Sequence, residues 1–279
     1  MPKPTALETI QLVAGDAVAL VAPGRGGMVT RFSVGGRELL YLDEATLLDP
    51  AKNVRGGIPV LFPSPGKLEG DTWSRAGVTG VLGQHGFARN AAWTVVSQEP
   101  DVVTLRIASN DATRTAWPWD FVATYRYALR GSSLRIDQRF ENTSQQPMPF
   151  GAGFHPYFAV TNKAAAALPT HATKAFDNVT KTVIDLAGPI DLAAKEVDLH
   201  LIDHAAAEAI LVLDDARIAV RASDEFRRWV IWTVAGKDFV CVEPWTSPGN
   251  ALNTGDDLLV LDPGQSRDLW TEIALEPLI

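Results

Sequence analysis

The sequence predicts an all-β protein, a large antiparallel β-sandwich, and three observations lead there. Apolar and polar residues alternate with period two in several runs, most clearly Leu134, Ile136, Gln138 and Phe140 against Arg135, Asp137, Arg139 and Glu141. A helix would smear that pattern around its circumference, whereas a half-buried strand needs it. Glycine-rich punctuation recurs at short spacing, and no alternation of strand with long helix emerges that would build a parallel sheet. One sandwich domain over residues 1–279 is the expectation, with a pair of smaller β-domains as the structural alternative.

From the N-terminus, Ile10 to Leu12, Val18 to Ala22, Met28 to Val34 and Arg37 to Leu42 are β-prone runs. They are separated by Ala14-Gly15-Asp16, Gly24-Arg25-Gly26-Gly27 and Gly35-Gly36, which read as hairpin turns. Alternation continues at Val103 to Ile107 and Phe121 to Arg130. Further strands are expected at Ala209 to Leu213, Arg217 to Arg221, Trp229 to Val234, Phe239 to Val242, Leu258 to Leu261 and Arg267 to Leu275. Only Lys163 to Leu168 and Ala205 to Ala209 look helical, being alanine-rich, and they are too short to organise a domain.

With 279 residues, 46% of them apolar and 21% charged, the chain is long enough to bury a sizeable core. A formal charge of −8 argues against nucleic acid or an anionic membrane as partner, since both want a basic face. The single cysteine, Cys241, cannot form an intramolecular disulfide. Neither a signal peptide nor a stretch approaching roughly 18 consecutive apolar residues is apparent, so a cytoplasmic location is expected.

Three segments hold the candidate chemistry. The stretch from Val54 to Arg89 carries too much glycine and proline for a helix and too many apolar residues for a plain surface loop, and so reads as a binding loop laid on a scaffold. It contains Arg55 and closes on Gln84-His85-Gly86-Phe87-Ala88-Arg89. The second segment is Pro149 to Phe158, where His155 is framed by glycine, proline and aromatic rings. In the third, Glu243 ends the apolar run Phe239-Val240-Cys241-Val242; a carboxylate there must be paired, protonated or at an open mouth. Cys241 should share the face of Glu243; it reads as a small buried apolar residue, with a role near the site as the alternative. His171 and His200 read as surface or packing residues, and Phe62 and Phe158 as core.

Four runs in order, Gly56-Gly57-Ile58-Pro59-Val60-Leu61-Phe62-Pro63, the HGFAR at 85 to 89, the HPYF at 155 to 158 and the VEPWTSPGNALNTG at 242 to 255, resemble the aldose 1-epimerase (mutarotase) family. The likeness is greatest to its bacterial hexose-phosphate epimerase-like branch. It implies the galactose mutarotase-like supersandwich, with a sugar cleft on one face. It implies His155 as general acid toward the ring oxygen, Glu243 as general base toward the anomeric hydroxyl, and His85 as a catalytic hydrogen-bonding group near that oxygen. Asp203, in Asp203-His204, is the local match to an aspartate that contacts sugar hydroxyls, and Gln84 joins the substrate-binding set. Arg55 and Arg89 match the basic residues that hold a phosphate, with Lys67 and Arg75 as further candidates. Gly83 and Ser64-Pro65-Gly66 depart from that branch's pattern. An alternative job for Arg55 and Arg89 is to pair with acidic neighbours and brace the loop.

The chemistry needs such a pair independently of the likeness. Mutarotation removes a proton from the C1 hydroxyl, gives one to the ring oxygen, and reverses both steps on the other face. A carboxylate and an imidazole suit both directions. No cofactor and no metal is called for, and neither a Walker-type loop nor a Rossmann fingerprint is present. The expected partner is a small-molecule sugar or sugar phosphate. Two other classes stay open: a non-catalytic carbohydrate-binding protein, and a glycoside-processing enzyme, for which Glu69, Asp71 or Asp203 would be the second acid.

Overall fold

The computed structural model describes residues 7–278. Antiparallel strands dominate, as the alternation predicts. A seven-stranded sheet runs in the spatial order Glu208–Val212, Ala216–Ala222, Ser266–Pro277, Ser133–Asn142, Phe121–Arg130, Val102–Ala108, Thr94–Glu99. A second large sheet runs Thr182–Asp185, Lys174–Asp177, Glu196–Leu201, Arg228–Val234, Phe239–Trp245, Gly153–Phe154, Val60–Leu61, with Tyr157–Ala159 also paired to Phe239–Trp245. For convenience this is called the eight-stranded sheet. A four-stranded sheet of Ile10–Ala14, Ala17–Ala22, Met28–Val34 and Arg37–Glu38 joins them.

The alternation has the physical consequence expected of it. Leu105, Tyr125, Ile136, Phe140 and Ile273 from the seven-stranded sheet meet Val197, Trp229, Ile231, Val240 and Val242 from the eight-stranded one in a shared apolar cluster. Each such side chain contributes roughly 1.5–3 kcal/mol when fully buried. Phe62 and Phe158 belong to this core, Phe62 stacking on Phe140 at 5.2 Å and meeting Phe121 at 5.1 Å. The central loop is therefore nailed to the core through its own aromatic residue.

Two expectations fail. Lys163 to Leu168 and Ala205 to Ala209 are not helical: Ala167 forms a bridge with Val212, and Glu208 already begins a strand. Alanine propensity is too weak to close a helix of so few residues against competing backbone partners. Two of the short helices lie instead where side chains cap them. Asp43 accepts from the Thr46 N–H at 3.2 Å to start Glu44–Leu48, and Asn110 with Thr113 forms a capping box for Asp111–Ala116. The run expected as a strand from Arg37 to Leu42 is regular only over Arg37–Glu38, then continues as bridges Leu40 to Phe158 and Leu42 to Gly56. That segment ties the N-terminal sheet to the two chains bearing Arg55 and His155.

Candidate active site

The strand Phe239–Trp245 is buried along its whole length, and period two divides it. Val240 and Val242 enter the core between the sheets, so Phe239, Cys241, Glu243 and Trp245 point from the other face. Residues directly opposite on neighbouring strands share that face. Glu243 stands opposite Val230, which stands opposite His200; Cys241 stands opposite Trp232 and Tyr157, and Trp232 opposite Asp198. The outer face of the eight-stranded sheet thus carries two adjoining rows of polar and aromatic groups. Its centre is nevertheless dry, with Glu243 1% exposed and His155 9%.

The segment from Val54 to Arg89 supplies the cover. Val60–Leu61 pairs with Gly153–Phe154, and the His155 N–H donates to the Pro59 carbonyl at 3.1 Å, which sets His155 against the sheet. His85 is held from the other side: its N–H donates to the Gly66 carbonyl at 2.7 Å, and the Gly66 N–H donates to His85 Nδ1 at 3.0 Å. With Nδ1 accepting, the neutral ring carries its proton on Nε2. His85 takes a left-handed φ of 68°, and Gly86 follows at 72°, where a Cβ would lie 2.2 Å from the Phe62 carbonyl oxygen. Only glycine fits there, so the turn that delivers His85 depends on it.

His155 and Glu243 meet at the centre. His155 Nε2 lies 3.4 Å from Glu243 Oε1, while the Trp245 indole N–H donates to Glu243 Oε2 at 3.1 Å. The imidazole stacks on Tyr157, ring centroids 4.6 Å apart and planes within 9°, and takes the edge of Trp232. Burial pushes the Glu243 carboxyl well above the usual carboxylate range, and the charge of Asp198 adds to this against the indole hydrogen bond. Burial, reinforced by Arg89 and Arg55, pulls His155 down to about 3. His85 is likewise held well below its ordinary value by burial, then by His155 and the two arginines. Charge is thus opposed on both members of the His155–Glu243 pair.

Arg89 donates to the Gln84 carbonyl at 2.7 Å, and burial lowers its pKa to about 10. The Arg55 guanidinium lies over the Trp232 ring, 5.2 Å from its centroid. Neither arginine forms an ion pair among the described residues, so the bracing role weighed from sequence has no acidic partner here. Arg25, buried, clamps the carbonyls of Thr46, Leu47, Asp49 and Lys52, and so shapes the segment leading to Arg55. Gln84 is exposed and offers its carbonyl to Arg89. Lys67 and Glu69 lie exposed on the outside of the loop, and the Arg75 guanidinium sits against Gly255.

Asp203 is not brought to this cluster's face. Its carboxylate accepts from the Thr173 N–H and hydroxyl and from the Lys174 N–H, clamping the chain before the strand Lys174–Asp177. The aspartate in the polar rows is Asp198, five residues earlier. Asp198 Oδ1 lies 3.4 Å from His200 Nε2, its Oδ2 accepts from the Asn178 amide at 2.7 Å, and His200 meets the edge of Trp245 at 5.3 Å. His200 packs on Phe176 and Trp245, as the sequence reading allows, and it also stands in the polar row beside Glu243. The signal was present in Val197-Asp198-Leu199-His200-Leu201, a period-two run whose polar members face the site.

A family model described as aldose 1-epimerase matches residues 8–274. The chain is 38% identical to the Slr1438 protein from Synechocystis sp. PCC 6803, whose crystal structure superposes with a TM-score of 0.96 over 99% of this chain and 98% of that one. A Cenchrus ciliaris protein, provisionally named a glucose-6-phosphate 1-epimerase, is 27% identical over 249 residues, 83% of this chain and 69% of that protein. A galactose mutarotase-like protein from Lactobacillus casei ATCC 334 shares the fold, at 22% identity and a TM-score of 0.82 over 96% of this chain and 100% of that one.

Proposed function

The chain belongs to the aldose 1-epimerase family and is a sugar isomerase, and from that premise we propose that His155 and Glu243 interconvert the anomers of a hexose 6-phosphate by paired proton transfer. The observation that carries this is the contact of 3.4 Å between His155 Nε2 and Glu243 Oε1 in a dry site. Proton bookkeeping shows why such a pair suits the reaction. With the proton on His155, Glu243 takes the C1 hydroxyl proton while His155 delivers its own to the ring oxygen, and the C1–O5 bond breaks. The open-chain aldehyde then faces a neutral pair, the state that burial favours. Rotation about C1–C2 and the reverse transfers close the ring on the other face, and the pair returns unchanged. Each transfer typically contributes about 10²–10⁴-fold.

His85, neutral with its proton on Nε2, donates toward the ring oxygen as negative charge gathers there. Asp198 and His200 line the rows beside Glu243 and take the sugar hydroxyls. Among the described residues Arg55 and Arg89 have no carboxylate partner, and they suit the phosphate, since guanidinium forks match its oxygens. The provisional name of the Cenchrus ciliaris relative supports that choice of sugar. No helix among the described residues is long and apolar enough to cross a membrane, and we place the protein in the cytoplasm, where hexose phosphates are retained.

Saturation-transfer NMR of α and β anomers tests this, with glucose, galactose and glucose 6-phosphate compared for the wild type, Glu243→Gln and Arg55→Ala/Arg89→Ala. Acceleration of glucose 6-phosphate exchange that vanishes in a folded Glu243→Gln protein is expected. The arginine variants should raise KM for the phosphate at least about tenfold, as loss of a charge-assisted contact predicts, and leave free glucose little changed. A wild type that accelerates glucose and glucose 6-phosphate equally would remove the phosphate from the reading and leave the epimerase.

A further inference from the structure

Cys241 takes no part in that chemistry, yet its thiol lies among the groups that perform it. The ligand atoms of His155, Cys241 and Glu243 all fall within 4.8 Å of one another. Strand geometry brings this about: Cys241 and Glu243 are second neighbours on one face of Phe239–Trp245, and Tyr157, two residues beyond His155, pairs with Cys241 across the ladder. Imidazole nitrogen, thiolate and carboxylate together form a donor set for borderline-soft divalent cations, zinc above all. The separation of 3.4 Å between His155 Nε2 and Glu243 Oε1 is the edge that a tetrahedral zinc ion spans, roughly 3.3–3.4 Å for ligands at about 2.0–2.1 Å. A thiolate at about 2.3 Å from the metal stands roughly 3.5 Å from the other two donors. Sγ therefore needs to close by at most about 1.3 Å, within reach of side-chain rotation.

We propose that His155, Cys241 and Glu243 form an inhibitory site for a thiophilic divalent cation of the Zn²⁺ type, which binds in competition with the sugar. The balance of charge is favourable for a buried site: one dication meets one thiolate, one carboxylate and a neutral imidazole, and the cluster is neutral. On binding, the Cys241 thiol proton and any proton carried by the His155 imidazole or the Glu243 carboxyl leave to solvent. Three metal–ligand bonds form, water fills the fourth position, and no oxidation state changes. The cation occupies the acid and the base at once, so ring opening stops.

The inference rests on the proposed role of the His155–Glu243 pair, and a readout independent of turnover separates the two. Co²⁺ added to the wild type should give one equivalent of binding per chain, with a thiolate-to-metal charge-transfer band in the near ultraviolet that Zn²⁺ abolishes by displacement. Cys241→Ala and Cys241→Ser should lose that band and bind at least tenfold more weakly, with their unliganded anomerisation rates at the wild-type level. Zn²⁺ should suppress wild-type anomer exchange, a chelator should restore it, sugar should raise the Zn²⁺ required, and both cysteine variants should resist. Absence of the thiolate band, or variants as sensitive to Zn²⁺ as the wild type, would overturn the site. A thiolate band in a protein that accelerates none of the sugars would keep the metal site and sink the catalytic assignment instead.

Discussion

The outer faces of the two large sheets both carry ionisable side chains, and they hold them in opposite ways. On the seven-stranded sheet, Arg139 meets Asp268 at 3.0 Å and Arg217 and Arg221 share Glu276, all with water at hand. There the hydrogen bond that Arg139 donates to Asp268 raises the Arg139 pKa, and hydrogen bonds from Arg221 and Arg217 outweigh burial to lower Glu276, so Arg139 and Glu276 are both held toward their charged forms. On the eight-stranded sheet, burial moves Glu243 up and His155 down, away from charge. A solvated ion pair is content with its protons and does no chemistry at neutral pH. A covered pair left without counterions is pushed toward its neutral form, so a step that ends with both members neutral is favoured. What separates the two faces is the segment from Val54 to Arg89, which covers one and leaves the other in water.

That contrast breaks first at Glu243. Replacement by Gln should lower the anomerisation rate by about 10²–10⁴-fold while raising thermal stability at neutral pH, measured by calorimetry. The sign follows from the raised pKa: the wild type is favoured below the unfolded carboxyl value and loses that advantage as pH rises toward the folded one, whereas Gln does not titrate. A drop in both activity and stability would show that the carboxylate braces the fold. Next in size, Gly86→Ala places a Cβ 2.2 Å from the Phe62 carbonyl at a left-handed φ, and should destabilise by about 1–3 kcal/mol in denaturant titration. Its activity should fall as well, because His85 moves with the turn.

His155→Asn sharpens the comparison in acid. A histidine held at about 3 binds its proton less readily folded than unfolded, so its stabilising contribution is complete above pH 6.5 and is lost as pH falls from there toward 3. The variant should therefore lose less stability than the wild type between pH 6.5 and 4, in melting curves recorded across that range. The smallest effect belongs to the solvated face. Arg139→Ala should leave the denaturation midpoint and turnover close to the wild-type values, because exposed ion pairs contribute little.

Much of the architecture was legible because a half-buried strand writes its geometry as alternation. Met28–Val34 and Phe121–Arg130 occur with the limits read from sequence, and Ser133–Asn142 extends the Leu134 to Glu141 run by one residue at each end. Glu196–Leu201, Thr94–Glu99, Lys174–Asp177 and Thr182–Asp185 are not legible in the same way. These are peripheral strands or are rich in polar residues, so their apolar signal is thin. One of these strands bears on the site, for Glu196–Leu201 carries Asp198 and His200, whereas the Asp-His dipeptide at 203 and 204 lies beyond its end. Local sequence could not distinguish a carboxylate clamped by Thr173 from one in the rows beside Glu243.

Residue order alone determined which side chains share a face: period two places Cys241, Glu243 and Trp245 together and sends Val240 and Val242 to the core, wherever the strand lies. The tertiary structure decided which neighbours complete that face and whether water reaches it. Those depend on register between strands far apart in the chain and on the loop that covers them. Proton affinity follows from dielectric and distance, so the chemistry of His155 and Glu243 exists only once the fold has set both.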